Sequence, residues 1–318
     1  MLTDLLVSAG ERAKRLDVFL VNREPRLSRS ALRRLILTGR VRLNGQTVKP
    51  GQKIKPGDRV VFDRPVAAPI MREGRTVPLE ILHEDEYLIV VNKPSGLVVH
   101  PTSGHWSDTL LNALLAHTQR SPERSPARSA PPKPGMVHRL DKDTSGVMVV
   151  AKSPIAHRGL AQQFERHTIT RVYEALVSGR PASRAGVIDL AIGRDVARPK
   201  TVSTHTETAK SSVTEYEMIS EIGAHASHVR LRPRTGRTHQ LRVHLNAAGH
   251  PILGDRIYRC QVSAHPLGVE APRLMLHACS LGFTHPVTNQ PLRFTTQLPE
   301  DMSKLLSDLH QARASSGS

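Results

Sequence analysis

The sequence predicts an α+β protein with two domains, and three observations support that fold class. The chain has 318 residues, which is enough for two domains of ordinary size. It is 38% hydrophobic and 23% charged, a balance that allows a folded core. Apolar runs typical of strands outnumber the helical patterns, and neither a βαβ repeat nor a glycine-rich nucleotide fingerprint occurs. An α+β fold is therefore favoured over a doubly wound one.

The first 64 residues form a small basic module. They contain 15 Lys and Arg against six Asp and Glu, in a chain whose net charge is +17. One helical pattern begins at Leu16 and a second one ends at Gly39. The Asn-Gly pair at residues 44–45 then predicts a hairpin, because both residues tolerate positive φ. A positive surplus of this size indicates a polyanionic partner, above all a nucleic acid.

Residues 65–77 lack periodicity and predict a linker, and a second domain follows over residues 78–300. Thr118 to Pro134 is rich in Ser, Pro and Arg and predicts a mobile basic loop. A C-terminal helix and tail occupy residues 301–318. In chain order, we expect two strands within 79–94, a helix at 109–117, a strand at 147–153, a helix at 154–166, strands at 170–179 and 228–233, a helix at 239–249, strands at 274–286 and 291–298, and a last helix at 299–312.

A dense group of polar residues precedes the strand at 147–153. Asp141 lies here, between Arg139 and Lys142 and shortly before Gly146. One interpretation is a polar turn, in which Asp side chains accept hydrogen bonds from the backbone. The other is a reactive carboxylate held at the end of a sheet beside two cationic side chains. These residues by themselves leave both interpretations open.

A second basic segment precedes and enters the helix at 239–249. Arg232, Arg234, Arg237 and Arg242 stand among apolar residues rather than beside acids, so we expect them to lack internal partners. A solvated basic face is the simplest interpretation. The alternative is that these arginines bind an RNA phosphate or a catalytic carboxylate, both of which match the guanidinium fork.

The chain contains four motifs in this order: HRLDKDTSG, RVYEA, RTGRTHQLRVHLNAAGHPILGD and LHACSLGFTHP. They resemble the ordered motifs of the RluA-type pseudouridine synthases. Residues 15–62 are similar to the S4-like RNA-binding domain that accompanies many members of that family. The similarity extends over residues 11–300, and the branches that modify large-subunit ribosomal RNA are the most similar.

The resemblance implies a pseudouridine synthase fold, with a mixed, mainly antiparallel sheet flanked by helices, and a cofactor-free isomerisation of uridine. Asp141 would be the essential residue, Tyr173 would stack on the target base, and Arg242 would pair with Asp141. Arg139 would fill the gap that the flipped base leaves, and Leu276 would form an apolar wall. The resemblance leaves open whether Asp141 attacks the base, attacks the sugar or promotes elimination.

The resemblance also suggests further RNA contacts at two places in the chain. The expected substrate-binding residues of the second domain are Arg139, Leu276, Arg237, His239 and Gln240. The expected RNA-binding residues of the first domain are Arg29, Arg33, Arg34 and Arg40. We expect no metal, because the 17 histidines form neither an HExxH pattern nor pairs with cysteines.

Composition and segment length also limit the compartment and the partners. No apolar run approaches the roughly 20 residues that span a bilayer, and the N-terminus lacks the basic start of a signal peptide. Two cysteines are too few for a disulfide framework. We therefore expect a cytoplasmic protein that does not bind membranes and, as is usual in the family, a monomer.

The expected substrate is 23S ribosomal RNA, either alone or within a large-subunit particle. Two alternatives remain at this stage: a pseudouridine synthase that acts on transfer RNA, and a non-catalytic protein that binds RNA or assists ribosome assembly.

Overall fold

The structure of the chain is a computed structural model. It describes residues 2–9, 15–24, 29–63, 77–102, 105, 107–120, 135–198, 201–223, 225–258 and 269–316. The chain divides into two compact units, Met1–Ile70 and Met71–Ser318. The expected linker at 65–77 lies outside the described residues except for its last residue.

The first unit packs two helices against a four-stranded antiparallel sheet. The sheet order, among the described residues, is β1-β4-β2-β3. Leu16, Phe19 and Leu20 are fully buried in its core, as their helical spacing predicts. Asn44 and Gly45 have φ angles of 51° and 82°, which confirms the expected hairpin turn. The elements are β1 (Leu2–Leu6), α1 (Leu16–Arg23), α2 (Arg29–Leu37), β2 (Val41–Leu43), β3 (Gln46–Thr47) and β4 (Arg59–Asp63).

The second unit is built around one large sheet with helices packed against it. In its described part, the elements are β5 (Glu80–Glu84), β6 (Leu88–Lys93), α3 (Leu110–Arg120), β7 (Gly135–Met136), β8 (Ser145–Ala151), α4 (Pro154–Glu165), β9 (Thr170–Ser178), β10 (Ala185–Asp189), β11 (Gly193–Arg194), β12 (Val202–Ser203), β13 (Val213–Ile222), β14 (Ala226–Pro233), α5 (Gln240–Ala247), β15 (Leu276–Thr284), β16 (Pro291–Thr295) and α6 (Glu300–Ser316).

The large sheet is mixed and mainly antiparallel. Over the described residues its order is β10-β13-β14-β9-β15-β8-β6-β5, with β16 paired to β15 and β7 paired to β8. β8 and β15 form a parallel pair, while the other neighbours in this order are antiparallel. The expected α+β class is confirmed.

The parallel pair lies at the centre of the sheet, and the backbones of its two strands approach closely at Gly146. All seven residues of β8 are buried, as expected for a strand covered on both faces. Gly146 has a φ angle of 121°, and a Cβ atom there would lie 2.2 Å from the carbonyl oxygen of Ala278 in β15. Only glycine allows this approach. It brings the polar segment that precedes β8 to the start of β15.

Two parts of the chain differ from expectation. The segment from Thr118 to Pro134 was expected to be a loop, but its first three residues complete α3, and residues 121–134 lie outside the described residues. The sequence pattern did not predict β1, β7 or the four strands from β10 to β13. No helix among the described residues is long and apolar enough to cross a membrane.

Candidate active site

A cavity of about 560 Å³ opens at the central strands of the second unit. Its size lies within the range typical of small-molecule sites. Eight residues that the sequence singled out in this unit all line it, although they are spread over more than 130 positions. They are Arg139, Asp141, Tyr173, Arg237, His239, Gln240, Arg242 and Leu276.

A buried lysine, Lys93, holds the turn that carries Asp141. Lys93, at the end of β6, is completely buried, and its Nζ donates to the backbone oxygen of Lys142 at 3.0 Å. The same amine donates to the carbonyl oxygens of Pro94 and Leu97 at 2.8 and 3.0 Å. Burial lowers the pKa of Lys93 to about 7, against the opposing charges of Asp143 and Asp141. Lys93 thus ties the Asp141 turn to the segment that follows β6.

Arg242 joins Asp141 to a second carboxylate. Its Nη1 donates to Oδ2 of Asp141 at 2.8 Å, while Nε and Nη2 donate to the two oxygens of Asp255 at 2.7 and 2.8 Å. Burial by itself would lower the pKa of Arg242, but Asp255 and then Asp141 raise it above its ordinary value. A bidentate pair of this kind fixes the guanidinium in direction as well as charge.

Asp255 was not identified from the sequence. It is buried, and its Oδ1 also accepts the backbone N–H groups of Ile257 and Tyr258 at 2.9 and 3.0 Å. Burial acts to raise the pKa of Asp255, but the hydrogen bond and charge of Arg242 lower it overall. The only signal in the sequence is its place at the end of the long motif that contains Arg242.

Tyr173 and Leu276 form neighbouring parts of the cavity wall. Tyr173 lies on β9 and Leu276 at the start of β15, and these two strands are paired. Burial raises the pKa of Tyr173, while Arg171 acts in the opposite direction. The charge of Asp141 also acts on Tyr173, raising its pKa further. The cavity thus places a neutral aromatic ring and an aliphatic side chain near the carboxylate.

Both polar atoms of the Gln240 side chain form hydrogen bonds within the protein. Its Oε1 accepts from the Thr235 hydroxyl at 2.7 Å and from the Arg237 backbone N–H at 3.0 Å. Its Nε2 donates to the Val213 oxygen and to Thr214 Oγ1, each at 3.0 Å. Because both polar atoms have protein partners, Gln240 fixes the turn before α5, and its contact with substrate stays a prediction.

The expectation that the arginines of the second basic segment lack internal partners is also wrong. Arg232 donates to Oε2 of Glu217 at 3.1 Å, and Arg234 donates to Oε1 of Glu215 at 2.6 Å. Both acids lie on β13, which pairs with β14 and which the sequence did not predict. By contrast, Arg237 and Arg139 are exposed at the cavity.

Arg171 supports the turn that leads into α5. Arg171 donates from Nη2 to the backbone oxygens of Pro233 and Thr235, each at 3.2 Å. A Cβ atom at Gly236 would lie 2.7 Å from Nη1 of Arg171, so a larger residue there would require the guanidinium to shift. Arg171 therefore shapes the turn that leads into α5.

The expected RNA-binding arginines of the first unit lie on and after α2. Arg33, Arg34 and Arg40 are exposed, and Arg29 is the first residue of α2. Within the described residues, Arg33, Arg34 and Arg40 form no ion pair. These cations are therefore available to anionic ligands.

Comparisons with known proteins match both units. A family model described as RNA pseudouridylate synthase matches residues 87–247, and an S4 domain model matches residues 14–60. The chain is 42% identical to "Ribosomal large subunit pseudouridine synthase D" of Zymomonas mobilis, over 92% of each chain.

A second curated relative and a solved structure agree with this match. The protein of the same name from Pseudomonas aeruginosa is 37% identical to the chain, over 98% of each chain. The solved structure "Human RNA Pseudouridylate Synthase Domain Containing 4" is 29% identical, with a TM-score of 0.58, and the match covers 72% of this chain and 92% of that one.

Proposed function

Because this chain belongs to the RluA family of RNA pseudouridine synthases and carries an S4 domain, we propose that it converts uridines of 23S ribosomal RNA into pseudouridine. The family identifies the enzyme class and RNA as the partner. Two similar proteins named for the large ribosomal subunit support the choice of 23S RNA over transfer RNA. Such a substrate also implies a cytoplasmic enzyme.

The reaction requires only groups that the chain itself provides. The bond between N1 of uracil and C1′ of ribose breaks, and a bond between C5 and C1′ forms. The proton on C5 is lost, and N1 gains a proton. Since substrate and product are isomers, no electrons or groups enter from outside. We therefore expect no cofactor in the reaction.

Asp141 is the proposed catalytic residue, and its contact with Arg242 is the observation on which the proposal rests. A carboxylate that acts on uridine must carry its charge where water is largely excluded, and an adjacent guanidinium compensates that charge. The 2.8 Å hydrogen bond from Arg242 provides this compensation inside the cavity. Asp255 holds Arg242 from the other side, so the guanidinium keeps its direction when the base enters.

Tyr173, Leu276 and Arg139 are proposed to receive the base. A uridine must leave its stack before its C1′ and C5 atoms can be reached, and an aromatic ring with an apolar wall compensates the lost stacking. Tyr173 and Leu276 offer these two surfaces within one cavity. Arg139 is exposed two residues before Asp141, where it can fill the position that the base vacates.

The first unit is proposed to bind RNA through Arg29, Arg33, Arg34 and Arg40. The first unit would increase the affinity for RNA and position the RNA on the enzyme, because phosphate contacts of Lys and Arg carry little sequence information. We assign it to residues 1–64, followed by a linker at 65–77, the catalytic domain at 78–300 and a C-terminal helix and tail at 301–318. We also propose that the enzyme is a monomer.

Chemical mapping of pseudouridines in total cellular RNA tests the proposed function. Cells with and without this protein should differ at one or more uridines of 23S RNA, and the wild-type gene should restore them. A difference confined to transfer RNA would contradict the proposed substrate. An unchanged set of pseudouridines in all RNA would contradict the proposed function itself.

A further inference from the structure

His239 is held in an unusual backbone conformation beside Asp141. Its φ and ψ angles are 56° and 18°, a left-handed conformation that is uncommon for residues other than glycine. It stands directly before α5, and its side chain makes no capping hydrogen bond. The imidazole is mostly buried, and Nε2 lies 3.7 Å from Oδ1 of Asp141. Strain at a cavity wall suggests that the direction of this side chain matters.

The Tyr258 hydroxyl contacts the imidazole of His239 on the side away from Asp141. Its hydroxyl oxygen lies 2.7 Å from Nδ1 of His239 and accepts the backbone N–H of Val202 at 3.1 Å. Burial raises the pKa of Tyr258, so the hydroxyl keeps its proton. Val202 donates to one lone pair of the oxygen, and the hydroxyl proton can then point to Nδ1, which leaves Nδ1 as the acceptor. In this arrangement a neutral His239 is protonated at Nε2.

The position of Tyr258 is itself fixed by Asp255 and by Arg242, which also contacts Asp141. Asp255 accepts the Tyr258 backbone N–H, and the guanidinium of Arg242 lies over the Tyr258 ring at 5.0 Å. The imidazole of His239 meets that ring edge-on, with centroids 5.5 Å apart. Tyr258 thus belongs to one packed group with Arg242, Asp255 and His239.

The two oxygens of Asp141 face different partners. Oδ2 accepts the hydrogen bond from Arg242, whereas Oδ1 faces Nε2 of His239. We propose that His239, kept in its Nε2-protonated form by Tyr258, is a positioning residue that donates to Oδ1 of Asp141 and aims this oxygen at the bound uridine. This inference rests on the proposed role of Asp141. At 3.7 Å the contact is longer than a hydrogen bond, and a small rotation of the carboxylate closes it, as catalytic contacts often do when substrate binds.

A neutral imidazole suits this task better than a charged one. Burial lowers the pKa of His239, while Asp141 acts to raise it and Arg242 to lower it. The other charged groups that act on His239 are Asp255 and Arg139. A neutral donor directs Oδ1 without adding a second full positive charge to the carboxylate.

Two substitutions at His239 separate hydrogen bonding from backbone conformation. In His239→Gln, the amide nitrogen can reach the position of Nε2 and still donate to Asp141. In His239→Asn, the amide reaches only as far as Nδ1, so the donor to Asp141 is lost. Asn tolerates the left-handed conformation better than Gln does. A purely structural role therefore predicts that His239→Asn is the better enzyme, and the proposal predicts the reverse.

The measurement is single-turnover kinetics on a uridine-containing RNA substrate. We expect His239→Asn to lower the maximal rate by about tenfold or more, with RNA affinity little changed, and His239→Gln to lose less. Equal rates in the two variants, or a faster His239→Asn, would overturn the proposal. The matched controls are the same two substitutions at His310, an exposed residue of α6.

Tyr258→Phe tests the role of the hydroxyl without removing the ring. The nitrogen-15 shifts of the His239 ring, assigned from the signals that His239→Gln removes, should show a protonated Nε2 and an unprotonated Nδ1 in the wild type. Tyr258→Phe should lose this single form and also lower the maximal rate. A protonated Nδ1 in the wild type would overturn the proposal. If these variants are unaffected while Asp141→Asn is inactive, the role of His239 fails and the proposed function stands.

Discussion

At the scale of single residues, the site depends on one guanidinium shared by two carboxylates. Arg242 is only 7% exposed and would be costly to bury without partners. Asp255 takes two of its hydrogen bonds and Asp141 takes one. Because Asp255 is the more buried acid, it serves as the fixed anchor, and Asp141 keeps one oxygen facing the cavity.

Asp255→Asn should weaken this anchor in a pH-dependent way. The folded-state pKa of Asp255 is lowered by Arg242, so its contribution to stability is present above the ordinary carboxyl pKa of about 4 and is lost as pH falls through the folded pKa. We expect the variant to be about 1–3 kcal/mol less stable at pH 7. Thermal unfolding of both proteins from pH 7 to pH 3 measures the difference, which should shrink below about pH 4. A difference that grows as pH falls would contradict this account.

Residue types predicted part of the site, but not its connections. Asp141 and Arg242 were identified from their motifs, whose resemblance implied that they pair. Asp255, Lys93 and Tyr258 were not identified, because their roles depend on turns that bring distant atoms together. Lys93, for example, binds the carbonyl oxygen of a residue 49 positions away. Backbone acceptors of this kind leave no trace in side-chain patterns.

At the scale of elements, the parallel pair of β8 and β15 controls where Asp141 lies. The two strands share only a short register, at Ser145 with His277 and at Gly146 with Ala278. Ser145 and His277 add a side-chain hydrogen bond of 2.9 Å. A shift of this pair would move the Asp141 turn relative to Leu276, which begins β15.

Gly146→Ala should disrupt this pair. The added Cβ would lie 2.2 Å from a backbone oxygen, at a φ angle of 121° that alanine rarely adopts. We expect a loss of at least about 3 kcal/mol in the free energy of unfolding. The matched control is Gly282→Ala on β15, where the nearest neighbour would be a Thr170 side-chain atom at 3.6 Å, an ordinary contact. Denaturant unfolding compares them, and equal losses would contradict the close-approach argument.

Helices and buried strands were predictable because burial imposes a recognisable pattern of apolar residues on them. The apolar stripe of α1 and the continuous apolar run of β8 are examples. β13 was missed because its Glu217 pairs with Arg232 of β14 and its Glu215 with Arg234, the residue that follows β14. These partly exposed acids leave the strand without a clear apolar alternation. β1 was missed because its partner, β4, lies far along the chain.

At the scale of the whole molecule, the net charge is concentrated in the first unit, whereas the cavity that contains Asp141 lies in the second. About half of the net charge of +17 belongs to the first 64 residues. Composition predicted this division and a nucleic-acid partner, because net charge needs no knowledge of packing. The choice of RNA came from the family resemblance. The cavity required the structure, since its walls come from β9, β15, α5 and the turn before β8.

Replacing Arg33, Arg34 and Arg40 together with Gln should weaken RNA binding and flatten its salt dependence. Each lost phosphate contact reduces the slope of log affinity against log salt by about 0.7–0.9. Filter binding at several salt concentrations measures the slope. The control replaces the same three residues with Lys, which keeps the charges and should keep most of the slope. Equal slopes in the Gln variant and the wild type would exclude these residues as phosphate contacts.

The central claim is that the Asp141 carboxylate drives the isomerisation of uridine. Its most direct test is tritium release from RNA labelled at C5 of uracil, because this hydrogen must leave when C5 bonds to ribose. The wild type should release one tritium for each pseudouridine formed, and Asp141→Asn should release none while binding the RNA with an affinity within about threefold of the wild type, since Lys and Arg dominate binding. Release by Asp141→Asn at the wild-type rate would contradict the claim.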